Sequence, residues 1–260
     1  MMSPLSVSLA LRAGCRYSLG LPGFADDFDR AATLARSLDA TSYLAVQLWR
    51  HLGVLNGALD IAADELDEAK DVLVNAQRSG DDFGLNSARA ALALALAYGD
   101  CGDSPENVES QLLSIREEFQ TQSYANHLWL PRCDQLIAGV RARQGDYDGA
   151  IDLIQSVLDD DLDAGLKVMA GSATMLLVES LLRRGNQGDL ERAESAMTRL
   201  AAEPVDSGFV LYELPLLRMR ALVAQTRGDH AGYVDYRDRY RAMAHRVDFK
   251  PHIAMAEAMP

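Results

Sequence analysis

A short phrase recurs along this 260-residue chain about every 40 residues, and it leaves room for little besides a series of helical hairpins. Gly145-Asp146-Tyr147-Asp148-Gly149-Ala150 returns as Gly188-Asp189-Leu190-Glu191-Arg192-Ala193, and more weakly as Gly228-Asp229-His230-Ala231-Gly232-Tyr233. The same slot occurs without its glycine at Asp27-Phe28-Asp29-Arg30-Ala31 and Glu65-Leu66-Asp67-Glu68-Ala69, and in divergent form at Pro105-Glu106-Asn107-Val108. Each part has a physical task. Glycine lets one helix end in a left-handed conformation without a Cβ clash. The acid then caps the next helix by accepting orphan backbone N–H groups. Four residues after the acid, a small residue lets that helix cross its predecessor closely.

Ala31, Ala69, Val108, Ala150, Ala193 and Tyr233 therefore serve as anchors of six successive hairpins. Pro131 and Pro215 each follow a leucine and stand 19 and 18 residues before the anchors Ala150 and Tyr233. Both are expected near a helix start, where the missing N–H costs little.

Helical periodicity fills the space between these marks, predicting helices over about 4–18, 24–38, 41–57, 64–79, 82–99, 105–121, 124–144, 147–159, 168–184, 189–202, 209–227 and 230–247. No segment shows sustained two-residue alternation, and Ala and Leu dominate over β-branched residues. The expected fold is all-α: a tetratricopeptide-like right-handed superhelix of about six antiparallel hairpins. It forms one domain over 1–260, with 248–260 as a C-terminal tail or capping segment.

A net charge of −13 repels phosphate backbones and anionic lipid, so neither nucleic acid nor a membrane surface is an expected partner. The acidity suits the solubility of an extended helical surface, or the capture of a basic peptide in an acidic groove. Cys15, Cys101 and Cys133 are odd in number and lack metal spacing, which predicts small buried thiols in a reducing compartment. The N-terminal apolar stretch is interrupted by Arg12 and Arg16, unlike a signal peptide. No apolar run approaches about 18 residues. The cytoplasm is the expected location.

The run Ala142-Arg143-Gln144-Gly145-Asp146-Tyr147-Asp148-Gly149-Ala150-Ile151 resembles the join between the two helices of a tetratricopeptide repeat, here in a longer hairpin. Gly208-Phe209-Val210-Leu211-Tyr212-Glu213-Leu214-Pro215-Leu216-Leu217-Arg218, Tyr240-Arg241-Ala242-Met243-Ala244 and His252-Ile253-Ala254-Met255-Ala256-Glu257-Ala258-Met259-Pro260 carry a narrower likeness. Ser79-Gly80-Asp81-Asp82-Phe83 and Val178-Glu179-Ser180-Leu181-Leu182-Arg183-Arg184-Gly185 extend it. Together these resemble the C-terminal helical-repeat region of actinobacterial multidomain proteins that join an adenylate cyclase domain to a signalling ATPase domain. The resemblance implies a regulatory, non-catalytic module of cyclic-nucleotide signalling, either stand-alone or part of a longer protein. Lys250-Pro251 departs from the Glu-Gly usual in that family and leaves the local turn open.

Chemistry-bearing motifs are missing. There is no P-loop, no nucleophile elbow and no paired-histidine zinc motif, so no catalytic, metal or cofactor site is expected. His51, His127, His230, His245 and His252 read as surface or helix-end residues. Asp159-Asp160-Asp161-Leu162-Asp163-Ala164-Gly165 lacks the glycine and glutamate of a calcium loop and reads as a solvated turn. Trp49, Trp129, Tyr98 and Tyr147 fall at helical spacing and read as packing residues. In a tetratricopeptide-like coil the first helix of each hairpin lines the concave face. That makes Arg132, Gln135, Arg143, Glu179, Arg218 and Gln225 the groove candidates for a protein, a peptide or a small signal ligand, with ordinary solvated positions as the competing reading. A structural oligomerisation scaffold without a ligand is the functional alternative.

Overall fold

The computed structural model describes residues 3–38, 40–61, 65–79, 82–99, 102–121 and 129–260, with the side chains of 40, 41 and 79 excluded. Every regular element among them is helical. In chain order these are α1 (Pro4–Ser18), α2 (Phe24–Arg36), α3 (Ala40–Leu55), α4 (Glu65–Ser79), α5 (Asp82–Tyr98), α6 (Pro105–Gln120) and α7 (Leu130–Gln144). There follow α8 (Tyr147–Asp163), α9 (Ala170–Arg184) after a 3-10 turn, α10 (Asp189–Ala202), α11 (Val210–Thr226), α12 (His230–Val247) and α13 (Lys250–Glu257). None is long and apolar enough to cross a membrane. The first part of the span predicted at 124–144 lies outside the described residues, as do His127 and Cys101.

The recurring phrase folds largely as its chemistry dictates. Gly145 closes α7 at φ +87°, a conformation open to a residue without Cβ. Asp146 Oδ1 then accepts the Gly149 N–H at 3.0 Å, and Asp229 Oδ1 accepts the Gly232 N–H at 3.0 Å. Ser104 fills the slot in the divergent copy, accepting the Asn107 N–H at 3.3 Å. The copy at Gly188-Asp189 differs. Gly185 ends α9, and Asp189 turns back to take Arg184 at 2.9 and 2.6 Å and the Asn186 N–H at 2.9 Å. All six anchors are buried, and each lies in the first half or at the middle of α2, α4, α6, α8, α10 or α12.

The chain forms two compact units. The first comprises Met1–Arg12, Ala25–His51 and Ile61–Leu153. Here α4 packs on α5, α5 on α6 and α6 on α7, while α5 also touches α7. Phe28, Leu112, Phe119 and Ile137 fill its interior beside fully buried alanines. The second unit comprises Ala13–Phe24, Leu52–Asp60 and Ile154–Pro260. In it α9, α10, α11 and α12 pack in succession, α9 also touches α11, and α13 lies on α12. Phe24 meets Phe249 edge-on at 5.7 Å and Tyr17 at 6.3 Å. The 248–260 segment is thus mostly helix, with Phe249, His252 and Ala256 buried. Pro251 sits in the first turn of α13, where it is tolerated, and this resolves the turn left open at Lys250-Pro251.

Several expectations are corrected. The Asp159–Asp163 run is not a loose turn: α8 runs through it, Asp161 is buried, and the stop comes at Gly165 with φ +73°. Aspartate near a helix C-terminus costs only a fraction of a kcal/mol. Asp159 regains some of that by pairing with Arg199 and accepting from Gln155 at 3.2 Å. Pro131 lies in the first turn of α7 as expected, but Pro215 lies inside α11, because Val210, Leu211 and Leu214 bury themselves ahead of it. Cys15 is exposed, as half of Tyr98 is, whereas His51 and His252 are core residues.

Candidate functional site

The six predicted groove residues lie on α7, α9 and α11, and most are already engaged. In the first unit Arg132 and Gln135 of α7 are buried, with Arg132 Nη1 donating to Gln135 Oε1 at 3.4 Å. Arg143, near the end of the same helix, donates to the Ala97 carbonyl of α5 at 2.8 Å and so satisfies one of that helix's last acceptors. In the second unit Arg218 of α11 donates to Glu179 of α9 at 2.7 Å, while Gln225 of α11 is exposed. Three of the six, Arg143, Glu179 and Arg218, thus fasten α7 to α5 and α11 to α9.

Arg218 also begins a buried polar chain. It reaches the Met255 carbonyl at 3.5 Å and lies 5.9 Å from the Tyr240 ring centre. The Tyr240 hydroxyl meets His252 Nδ1 at 2.8 Å, and His252 Nε2 meets the Asn56 carbonyl at 3.3 Å. A carbonyl can only accept, so Nε2 carries the ring proton, Nδ1 accepts, and Tyr240 donates. Burial lowers the His252 pKa to about 4 and raises that of Tyr240, so both stay neutral near pH 7. The pair is sealed, at 1% and 0% exposure. No substrate reaches it, and its task is to fasten α13 and α12 to the Asn56 segment.

An open site lies elsewhere in the second unit. Two adjoining cavities, of about 350 and 580 Å³, run over α11 between α10 and α12 and share Ala201, Leu216 and Arg220. Volumes in this range can take organic groups. Leu200, Leu217 and Met243 floor the first, Met197 and Val223 the second. Tyr212 lines the first cavity with Phe209 edge-on at 5.2 Å. It is 3% exposed, and its buried hydroxyl has no hydrogen-bond partner among the described residues. Burial, aided by the charge of Glu203, pushes its pKa up to about 12, so it remains a proton donor.

Charge in this groove is unevenly spent. Arg227 pairs with Glu194 at 2.5 Å and Arg239 with Asp235 at 3.1 Å. Arg220 has no carboxylate partner among the described residues. Its guanidinium lies 5.9 Å from the Tyr236 ring centre, which Arg239 also approaches at 5.5 Å. Sequence reasoning missed this groove because it looked to first helices alone. One signal was legible: residues 210–260 hold eight Lys or Arg against six Asp or Glu, in a chain whose net charge is −13.

A third cavity, in the first unit, is lined by Tyr43, Gln47, Glu68 and Ser87 and measures only about 20 Å³. That is far below the size of an organic ligand. Its Arg36–Glu68–Tyr43–Gln47 network, with links of 2.5, 2.7 and 2.5 Å, serves packing. Among the described residues no three His, Cys, Asp or Glu side chains gather as metal ligands. No family model, no curated protein and no solved structure matches this chain.

Proposed function

We propose that this chain is a tetratricopeptide-like helical-repeat module that binds a protein or peptide partner, carries no catalysis of its own, and regulates a signalling protein of the adenylate cyclase type. The observation that carries the reading is that six small or apolar residues about 40 positions apart in the sequence are all buried, one in each of α2, α4, α6, α8, α10 and α12. First helices pack directly on one another, α5 on α7 and α9 on α11, as they do where hairpins stack into extended binding surfaces. The Arg143–Ala97 and Arg218–Glu179 links fasten those same pairs. The signalling half of the reading rests on the resemblance of the C-terminal phrases.

The test has two parts. The immobilised chain is offered a native extract, beside a heat-unfolded control, and any enriched polypeptide is re-expressed and titrated against the folded chain. A saturable partner is expected, and failure to recover one overturns the module. Cyclase output is then measured with and without the added chain. An output indifferent to it overturns the link to cyclic-nucleotide signalling while leaving the module standing.

A further inference from the structure

We infer that the groove between α10 and α12 binds an amphipathic helix of a partner, with apolar residues on the Leu216 floor and a carboxylate at Arg220. This deepens the interaction-module reading and rests on it. It also moves the site from the first-helix face to the gap between second helices.

Three observations lead there. Arg220 borders both cavities and has no carboxylate partner among the described residues, although the chain is strongly acidic. A cation–π contact compensates a guanidinium only in part, and whereas Arg239, on the same ring, also pairs with Asp235, Arg220 keeps its charge for an incoming anion. Tyr212, more than nine-tenths buried in the same groove, holds an unused O–H donor, which suits a carboxylate better than a cation. The apolar floor accounts for the rest of the occupant: Leu216 lines both cavities, flanked by Met197 and Met243, whose flexible thioethers adapt to a side chain laid on them.

Backbone chemistry fixes the form of the occupant. Most of the lining lies on α10, α11 and α12, whose N–H and C=O groups bond within their own helices; the carbonyl that Pro215 leaves without a helical partner, that of Leu211, faces Gly171 of α9 instead, and neither cavity is lined by Asn or Gln. An extended peptide would bury its backbone there with few partners, whereas a helix satisfies its own. Glu203, Asp206 and Glu213 line one end of the groove and Glu194 and Asp229 the other, so the carboxylate belongs at the middle, facing Arg220, and not along the whole segment.

The probe is a displayed library of 16-residue helices with leucine at i, i+3, i+4 and i+7 and all other positions varied, selected on the full chain. Selected helices are expected to carry Asp or Glu at one position and to bind Arg220→Glu at least about tenfold more weakly. Replacing that acid by lysine should abolish binding to the native chain and restore it to Arg220→Glu, a gain that a misfolded variant could not give. Helices that bind but are indifferent to Arg220→Glu, or lack the acid, would overturn the groove assignment and leave the interaction module intact. A library yielding no binder overturns the helix-in-groove proposal alone, since the module is judged by its own capture and titration.

Discussion

Gly171 of α9 stands so close to the carbonyl oxygen of Leu211 in α11 that a Cβ added to it would come within 1.9 Å of that oxygen. Pro215 explains why the oxygen is there to be approached. Four residues after Leu211, Pro215 has no N–H to give it, so the carbonyl lacks its ordinary helical partner. The Pro215 ring packs against the same glycine, with Cγ 3.5 Å from the added Cβ. Gly171→Ala must therefore push α9 and α11 apart. The expected loss is on the order of 1–3 kcal/mol, read from a urea midpoint. A midpoint equal to that of the native chain would refute the close crossing.

The hairpin register makes a second demand. Ala150 is fully buried four residues after the cap Asp146. Ala150→Leu should overpack that crossing by about 1–3 kcal/mol. Enlarging the exposed Ala202, the last residue of α10, should leave stability unchanged within about 0.5 kcal/mol. Equal melting temperatures for the two variants would remove the anchor role from Ala150.

Asp189 and Asp229 occupy the same slot of the recurring phrase yet do different work, so their removal should cost different amounts. Asp229 caps an exposed helix start, and Asp229→Ala should cost about 1 kcal/mol. Asp189 is buried and holds the half-buried Arg184 bidentately; that guanidinium keeps its carboxyl below the usual range. Asp189→Ala removes this bidentate, largely buried pairing and should cost about 2–4 kcal/mol. Chemical denaturation of the two variants side by side checks the order, and a larger loss for Asp229→Ala would contradict it.

These differences show what one sequence discloses. Helix starts and stops were legible because glycine, proline and aspartate act locally. Where several signals compete locally, as at Asp159–Gly165 and Pro215, the burial of neighbouring Val210, Leu211 or Asp161 decides, and burial is a tertiary fact. A further regularity lay within reach: Arg12, Arg50 and Arg89 each stand 19 residues before Ala31, Ala69 and Val108, the spacing of Pro131 to Ala150. The structure pairs them with Asp27, Glu65 and Glu118. The groove over α11 could not be read this way, because it depends on how far α10 and α12 stand apart. His252 could not either: its carbonyl partner, Asn56, is 196 positions away.

The buried histidines set the pH response. Burial, with a smaller contribution from Arg50, lowers the His51 pKa to about 3. Burial likewise lowers that of His252 to about 4; the Asn56 carbonyl opposes this and Arg218 adds to it. In the unfolded chain both rings titrate near about 6.5. Between those values and pH 6.5 the unfolded chain binds protons that the folded chain refuses, so stability falls as the pH falls. Both contributions are fully present above pH 6.5 and are lost progressively down to the folded values. From pH 7.5 to pH 5 each histidine should remove about 2 kcal/mol, acting on its own unit. The Asp189 carboxyl, held low by Arg184, loses its contribution only in a more acidic range, below the ordinary aspartate value. His252→Phe cannot titrate, and although it should lower stability at pH 7.5 by removing the Tyr240 and Asn56 bonds, it should shrink the drop to pH 5 by about 2 kcal/mol. Urea titrations of both chains at the two pH values decide the matter. An unchanged pH slope in the variant would mean that His252 takes up its proton in the folded state as readily as in the unfolded one, and the sealed Tyr240–His252–Asn56 chain would then be wrong.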